Sequence, residues 1–331
     1  MVSTLATATA TELVCPSCRG PLAEVYCLRC GEWYPPVRGL PDLRLRSDRF
    51  LDLVSERAKA ERLDRIACGS DLEALAEAYY AMTPDVDPAR RRAYLAHILG
   101  AEARGSALAS LLPRRGRIVE VGCGTGGLLA AARRSGLAIE GVDIASRWLV
   151  VARRRLDDLG LSAPLIAASA DRLPYPDASV DAIVADSLLE HLDDPASAIR
   201  EWARVLRPGG ALILWSPNRR TLAVDPHVRL WALGYLPRAW MPGYVRWRRG
   251  DAWPPACLSP GEAGRMAADA GFGPIRVEAP AIPRGWAEGR PAWQGPLIRS
   301  YELARRTPGL ARLLLEVGPL WQLRATRRGA A

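Results

Sequence analysis

Lysine is almost missing from this chain: Lys59 stands alone among 45 basic residues, and the rest are arginine. Arginine in place of lysine, with abundant alanine, reads as a GC-rich genome, so the net charge of +9 does not by itself demand an anionic partner. No run of about 18 apolar residues occurs, which excludes a transmembrane helix. Residues 1–11 have neither the basic start nor the apolar block of a secretory leader, so the chain is read as cytoplasmic. That compartment disfavours disulfides, and the seven cysteines point instead to metal binding or to small buried hydrophobes. Polar excess is lacking too: 49% of 331 residues are hydrophobic, enough for one large domain and a small one and too much for wholesale disorder.

Four of the cysteines stand together, as Cys15-x-x-Cys18 and Cys27-x-x-Cys30. Paired C-x-x-C turns have the ligand spacing of a structural zinc site. Four thiolates leave no open coordination position, so the metal is expected to supply folding energy and not catalysis. Cys68, Cys123 and Cys257 are scattered and are read as structural. Residues 48–112 then read as helices. Leu51, Val54, Ala58 and Leu63 share one face, a second helix covers 71–81, and a third starts at Pro88 behind the cap residue Asp87 and runs towards Leu108–Leu112. These helices precede the first long strand, where they can cover a cleft; Tyr79, Tyr80 and His97 are read mainly as packing residues.

The centre of the sequence is Val119-Glu120-Val121-Gly122-Cys123-Gly124-Thr125-Gly126-Gly127. It follows a short apolar lead and precedes an Ala/Leu-rich run, the context of strand, glycine turn and helix. Gly122 suits a tight turn, Gly124 a close ligand approach, and Gly126 close packing of the helix start against the sheet. Strands are expected at 138–143, ending in Asp143, near 164–168, at 180–185, at 211–215, at 274–279 and at 320–325, the last antiparallel. Helices are expected between them, including 195–206, 260–270 and 297–316, with a turn at Arg207-Pro208-Gly209-Gly210. Strands alternating with helices imply a parallel sheet covered on both faces.

Five ordered motifs now stand together: Glu120 to Gly126, Asp143, Ala170-Asp171-Arg172-Leu-Pro, Asp186-Ser-Leu-Leu-Glu-His191-Leu-Asp-Asp-Pro195, and Val205-Leu-Arg-Pro-Gly-Gly210. Across about residues 115–216 the chain resembles class I S-adenosylmethionine-dependent methyltransferases, in particular the group related to the ubiquinone/menaquinone and small-molecule enzymes. The resemblance implies an α/β, doubly wound, mostly parallel seven-stranded sheet. It also implies that Glu120 belongs to the cofactor-binding residues, that Gly122, Cys123, Gly124 and Gly126 cradle the methionine part of S-adenosyl-L-methionine, and that Asp143 accepts from both ribose hydroxyls. Ile144 would flank the adenine, Ala170 and Asp171 would bind its edge, and Asp186, Ser187 and Leu188 would floor the site near the methyl group. A dinucleotide fold is the alternative for a glycine loop, but its pattern is G-x-G-x-x-G, whereas this loop reads G-x-G-x-G-G. Residues 13–45 resemble the zinc-ribbon modules fused to, or partnering, methyltransferases. The expected organisation is a zinc ribbon with tail at 1–46, a helical cap at 47–112, and a methyltransferase domain at 113–331 with an insertion at 217–255 and a helical excursion at 284–317.

Methyl transfer is an in-line displacement on an already activated methyl group, so alignment carries much of the catalysis and a base is needed only for an acceptor that loses a proton. His191 and His227 are the candidate bases; His191 follows the fourth strand, and Asp225 stands two residues from His227. Residues 217–255 are expected to shape the acceptor pocket. They hold seven Arg against Asp225 and Asp251, and residues 284–331 hold nine Arg against three Glu. Together the two segments contain seven of the eleven Trp. Basic residues interleaved with aromatics suit an anionic or peripheral membrane partner, or a solvated arginine face with tryptophan packed beneath. The acceptor is expected to be a small molecule or a sugar- or lipid-linked intermediate. The alternative is a ribosomal RNA base, which the ribbon and the basic balance suit; the Asp186-Ser-Leu-Leu motif is not the Asn/Asp-Pro-Pro-aromatic motif of amino-group base methylation.

Overall fold

A computed structural model describes residues 13–83, 86–225, 227–250, 256–282 and 294–329. Parts of the expected tail, insertion and excursion (1–12, 251–255 and 284–293) lie outside the described residues. The N-terminal module holds a short antiparallel pair, β1 (Leu22–Ala23) and β2 (Tyr26–Cys27). Four helices follow: α1 (Leu53–Ala67), α2 (Leu72–Ala81), α3 (Pro88–Leu99) and α4 (Ala101–Ala109). Asp52 and Asp71 cap the first two by accepting from backbone N–H groups of the first turn. The third expected helix is two helices, broken at Gly100, a residue that weakens helix continuity. Tyr79 and Tyr80 are buried, and Tyr79 lies against Trp148, so both are packing residues.

The main sheet has seven strands in the order β5-β4-β3-β6-β7-β9-β8. These are β3 (Ile118–Val121), β4 (Ile139–Asp143), β5 (Leu165–Ala167), β6 (Val180–Asp186), β7 (Leu206–Pro217), β8 (Phe272–Glu278) and β9 (Leu320–Arg327). Strands β3 to β7 pair in parallel, and β9 runs antiparallel between β7 and β8. The helices between are α5 (Gly127–Arg134), α6 (Ser146–Asp158), α7 (Pro195–Val205), α8 (Met241–Arg249), α9 (Pro260–Asp269), α10 (Gln294–Arg306) and α11 (Pro308–Val317). The expected helix at 297–316 is interrupted at Thr307, and Pro308 starts a new one, as a ring without an N–H does best at a first helical position. Arg207–Gly210 lies within β7 as a bulge: Val180 pairs with Leu206, and the next register pair is Ala182 with Ala211.

Successive strand residues feed two cores. Ala182 and Val184 of β6 join buried residues of α4, α5 and α6, whereas Ile183 and Ala185 join those of α7 and α9. Leu43, Tyr34 and Cys27 of the N-terminal module belong to the second core. The chain order reverses between β3 and β6, and in open α/β sheets ligands sit at that switch point, beyond the carboxyl ends of the strands.

Candidate functional site

At the switch point β3 ends in the glycine loop and β6 ends in Asp186. Gly122 has φ +77°, and a Cβ there would lie 2.8 Å from Leu188 Cδ1, so a bare backbone is what lets the two loops meet. A Cβ on Gly124 would meet no heavy atom within 4 Å, which leaves that edge of the loop open to a ligand. A Cβ on Gly126 would lie 2.9 Å from Ala152 Cβ, so the bare backbone there lets the start of α5 pack closely on α6. Asp143, at the end of β4, accepts from Gly124 N and from Ala145 N, both at 2.8 Å. One carboxylate thus fixes the loop while each oxygen keeps a lone pair for a further donor.

Two more carboxyl groups face this corner. Glu120 is buried, its Oε2 has no hydrogen-bond partner, and burial followed by repulsion from Asp186 and Asp143 holds its carboxyl well above the usual range. Burial also raises Asp143 and Asp186, the former countered by its two backbone N–H donors and the latter by the Ser187 hydroxyl at 3.0 Å. Three acids converging on one corner make an electronegative recess suited to a cationic ligand.

The residues between the ribbon and α1 form the rim, which the sequence did not reveal. Leu43 N donates to Ala167 O at 2.7 Å, and Ala167 N donates to Pro41 O, so this segment runs alongside the end of β5. Arg44, paired with Asp42, donates to Ile144 O; Arg46 lies 2.8 Å from Asp171 Oδ1; Arg49 donates to His191 O. One strap therefore touches the ends of β4, β5 and β6. Ala170 O accepts from Trp202 Nε1 at 2.9 Å, which fixes the loop carrying Asp171. Only the alternation Asp42-Leu-Arg44-Leu-Arg46 hinted at an extended strap.

Beyond β6, the 3-10 turn Leu189–His191 brings His191 to His227 of the insertion, with ring centroids 5.1 Å apart and planes at 80°. Glu190 joins them: its carboxyl is fully buried, Oε2 accepts from Ser216 Oγ at 3.1 Å, and Oε1 has no partner. Burial pushes Glu190 up to about 8. Burial, reinforced for His191 by His227 and Arg49, lowers both imidazoles, that of His191 to about 4. Asp225 Oδ1 accepts from the backbone N–H of His227 and Val228 and lies 3.8 Å from His227 Nδ1. Glu190 was missed because, in sequence, it is one more acid beside a histidine.

The four N-terminal sulfurs converge. Cys15 and Cys30 Sγ are 3.7 Å apart, Cys18 and Cys27 Sγ are 3.4 Å apart, and all four lie within 4.8 Å of one another. Tetrahedral zinc with bonds of about 2.3 Å sets its sulfurs about 3.8 Å apart, so the donor set and its spacing fit that ion.

Residues 119–214 match the family model of the methyltransferase domain. The chain is 34% identical over 136 residues to the ubiquinone biosynthesis O-methyltransferase of Paracidovorax citrulli, an overlap of 39% of this chain and 56% of that protein. It is 34% identical over 121 residues to the demethylmenaquinone methyltransferase of Tropheryma whipplei (37% and 50%). It is 40% identical over 101 residues to the methyltransferase GfsG of Streptomyces halstedii (30% and 36%). The alignments thus span about a third to just over half of these relatives' length, and the family model covers the strands that carry the glycine loop, Asp143, Asp171, Asp186 and His191.

Beyond the matched residues 119–214, a cavity of about 480 Å³ opens between the insertion and α11, lined by Arg219, Arg220, Gly234, Tyr235, Glu316 and Val317. Trp231, Trp240 and Trp247 of the insertion are all exposed, and none lines this cavity. Many of the arginines are engaged within the fold. Arg219 and Arg238 pair with Glu262, Arg305 with Glu302 and Arg324 with Glu278, and Arg249 donates to Val228 O and Arg229 O. Among the described residues, no helix is long and apolar enough to cross a membrane.

Proposed function

We propose that the chain transfers a methyl group from S-adenosyl-L-methionine to a small-molecule acceptor. The observation that carries this reading is Asp143, held by Gly124 N and Ala145 N beside an open glycine loop, with Glu120 and Asp186 near it. The donor is a sulfonium with an ammonium-bearing tail, so an acidic recess recognises its charge. Asp143 takes the ribose hydroxyls, Gly122, Cys123, Gly124 and Gly126 the amino-acid tail, Ile144, Ala170 and Asp171 the adenine, and Asp186, Ser187 and Leu188 the floor beneath the methyl group. The acceptor arrives from the side of the insertion, where His191 and His227 are placed to meet it. Two of the relatives named above are a ubiquinone biosynthesis O-methyltransferase and a demethylmenaquinone methyltransferase, which supports a small-molecule acceptor. The ribosomal RNA alternative rests on the basic balance and the four-cysteine module alone, and the small-molecule acceptor has in addition the support of the relatives named above. In the same proposal, Cys15, Cys18, Cys27 and Cys30 hold structural Zn²⁺, with the Tyr34 hydroxyl 3.1 Å from Cys15 Sγ as an outer donor.

Asp143→Ala is expected to weaken S-adenosylmethionine binding by about 1.5–3 kcal/mol, the scale of hydrogen bonds to a charged group, or roughly 10- to 150-fold. Calorimetric titration of a variant shown by circular dichroism to be folded measures this. Unchanged affinity removes Asp143 from the donor site.

A further inference from the structure

The methyl-transfer reading leaves one buried feature without a purpose. Glu190 places a carboxyl oxygen without a hydrogen-bond partner in the interior, and His227 Nδ1 is a buried atom that also lacks one. Neither absence is trivial, since a buried polar atom left unpaired forfeits its hydration without compensation. The ligand atoms of Glu190, His191 and His227 all lie within 4.8 Å of one another. The polar groups nearby are turned partly elsewhere: Asp225 Oδ1 accepts from two backbone N–H groups and lies 3.8 Å from His227 Nδ1, the Ser216 hydroxyl donates to Glu190 Oε2, and one Arg49 nitrogen donates to His191 O and Asp193.

We propose that Glu190, His191 and His227 bind one divalent transition-metal cation of the zinc class, separate from the four-cysteine ribbon. Two imidazoles and a carboxylate are the donor set of zinc sites that keep a fourth position open. Four-coordinate zinc with bonds of about 2.1 Å needs ligands about 3.4 Å apart, so a closure of little more than an ångström assembles the site. The cation joins two segments that are remote in sequence: the turn after β6 and the insertion. Glu190 and His191 lie four and five residues past Asp186, the end of β6, which places the cation at the acceptor side of the donor recess. Its open position fits an oxygen-bearing acceptor, one whose hydroxyl or neighbouring carbonyl oxygen ligates the metal. This assignment of the acceptor class rests on the methyl-donor reading; the metal site itself does not.

The test is metal content and not turnover. The full chain and its His227→Ala and Glu190→Gln variants are loaded with Zn²⁺, desalted, and analysed for zinc per chain, with circular dichroism as the check on folding. His227 lies on the insertion, and the amide introduced by Glu190→Gln keeps an oxygen for the Ser216 hydroxyl, so the two variants do not share one route to misfolding. Each is expected to hold one zinc fewer per chain than the parent, and Cys15→Ser is expected to leave that difference unchanged. Equal zinc content in the parent and in either folded variant overturns the proposal. A loss of this zinc with S-adenosylmethionine binding intact separates it from the donor site, and a chain that holds this zinc but does not bind the donor retains the metal site while losing the acceptor assignment.

Discussion

Glu56→Ala is expected to lower the free energy of unfolding by about 3–5 kcal/mol, the cost of breaking a buried ion pair from one side. Glu56 is 0% exposed and Arg147 is 5% exposed. The Glu56 carboxylate accepts from Arg147 N at 2.8 Å, from Ser146 Oγ at 3.3 Å and from the Arg147 guanidinium. Those donors belong to the first turn of α6, whose own cap residue, Ala145, offers no side-chain acceptor. A residue of α1 thus does for α6 what a local serine or aspartate would do, and its negative charge meets the positive end of the helix dipole. Asp48 adds a second carboxylate to Arg147 at 2.8 Å, but it cannot replace the bonds to the helix start. Chemical denaturation of Glu56→Ala and Glu56→Gln measures the effect. Glutamine keeps the shape and an acceptor, so it should lie between the parent and alanine; a change below about 0.5 kcal/mol for alanine, the size of an ordinary surface substitution, would show that this contact is not a stabilising one. The same contact sits two residues beyond Ile144, so the variant should also loosen the donor site.

Cys27→Ser is expected to remove the ribbon's metal and, with it, the order of residues 13–45. The module has two-residue strands and few core residues of its own, and structural zinc in such modules supplies roughly 10–16 kcal/mol of apparent binding free energy. The consequence reaches further because the ribbon carries the strap. Val14 N donates to Pro174 O, and Leu43 N to Ala167 O, so the module leans on the loops after β5. Loss of the metal should therefore expose 13–45 to protease, release Arg46 from Asp171, and weaken donor binding while the seven-stranded sheet keeps its circular dichroism. A variant with the parent's zinc content and protease pattern would contradict the assignment.

Much of the sheet could be read from spacing alone because its causes are local. Short β-branched runs such as Ile118-Val119, caps such as Asp71, and punctuation such as Pro195 and Pro260 act within a few residues of themselves. The departures have the same origin: Gly100 and Thr307-Pro308 break helices that apolar spacing alone would continue. What was not legible depends on pairs far apart in the chain. Glu56 and Arg147 are 91 residues apart and each reads singly as a solvated charge. The strap of residues 41–49 had no motif, since its role comes from where β4, β5 and β6 end. His191 and His227 were recognisable as chemistry-bearing residues, but that they meet, and that Glu190 meets them, is a property of the insertion's path.

A methyl-donor recess at the switch point between β3 and β6 is tested most directly by calorimetric titration of the purified chain with S-adenosylmethionine and, separately, with NAD. Saturable binding of one S-adenosylmethionine per chain and no binding of NAD is the expected result. A folded chain that fails to bind S-adenosylmethionine, or that binds NAD in its place, contradicts it.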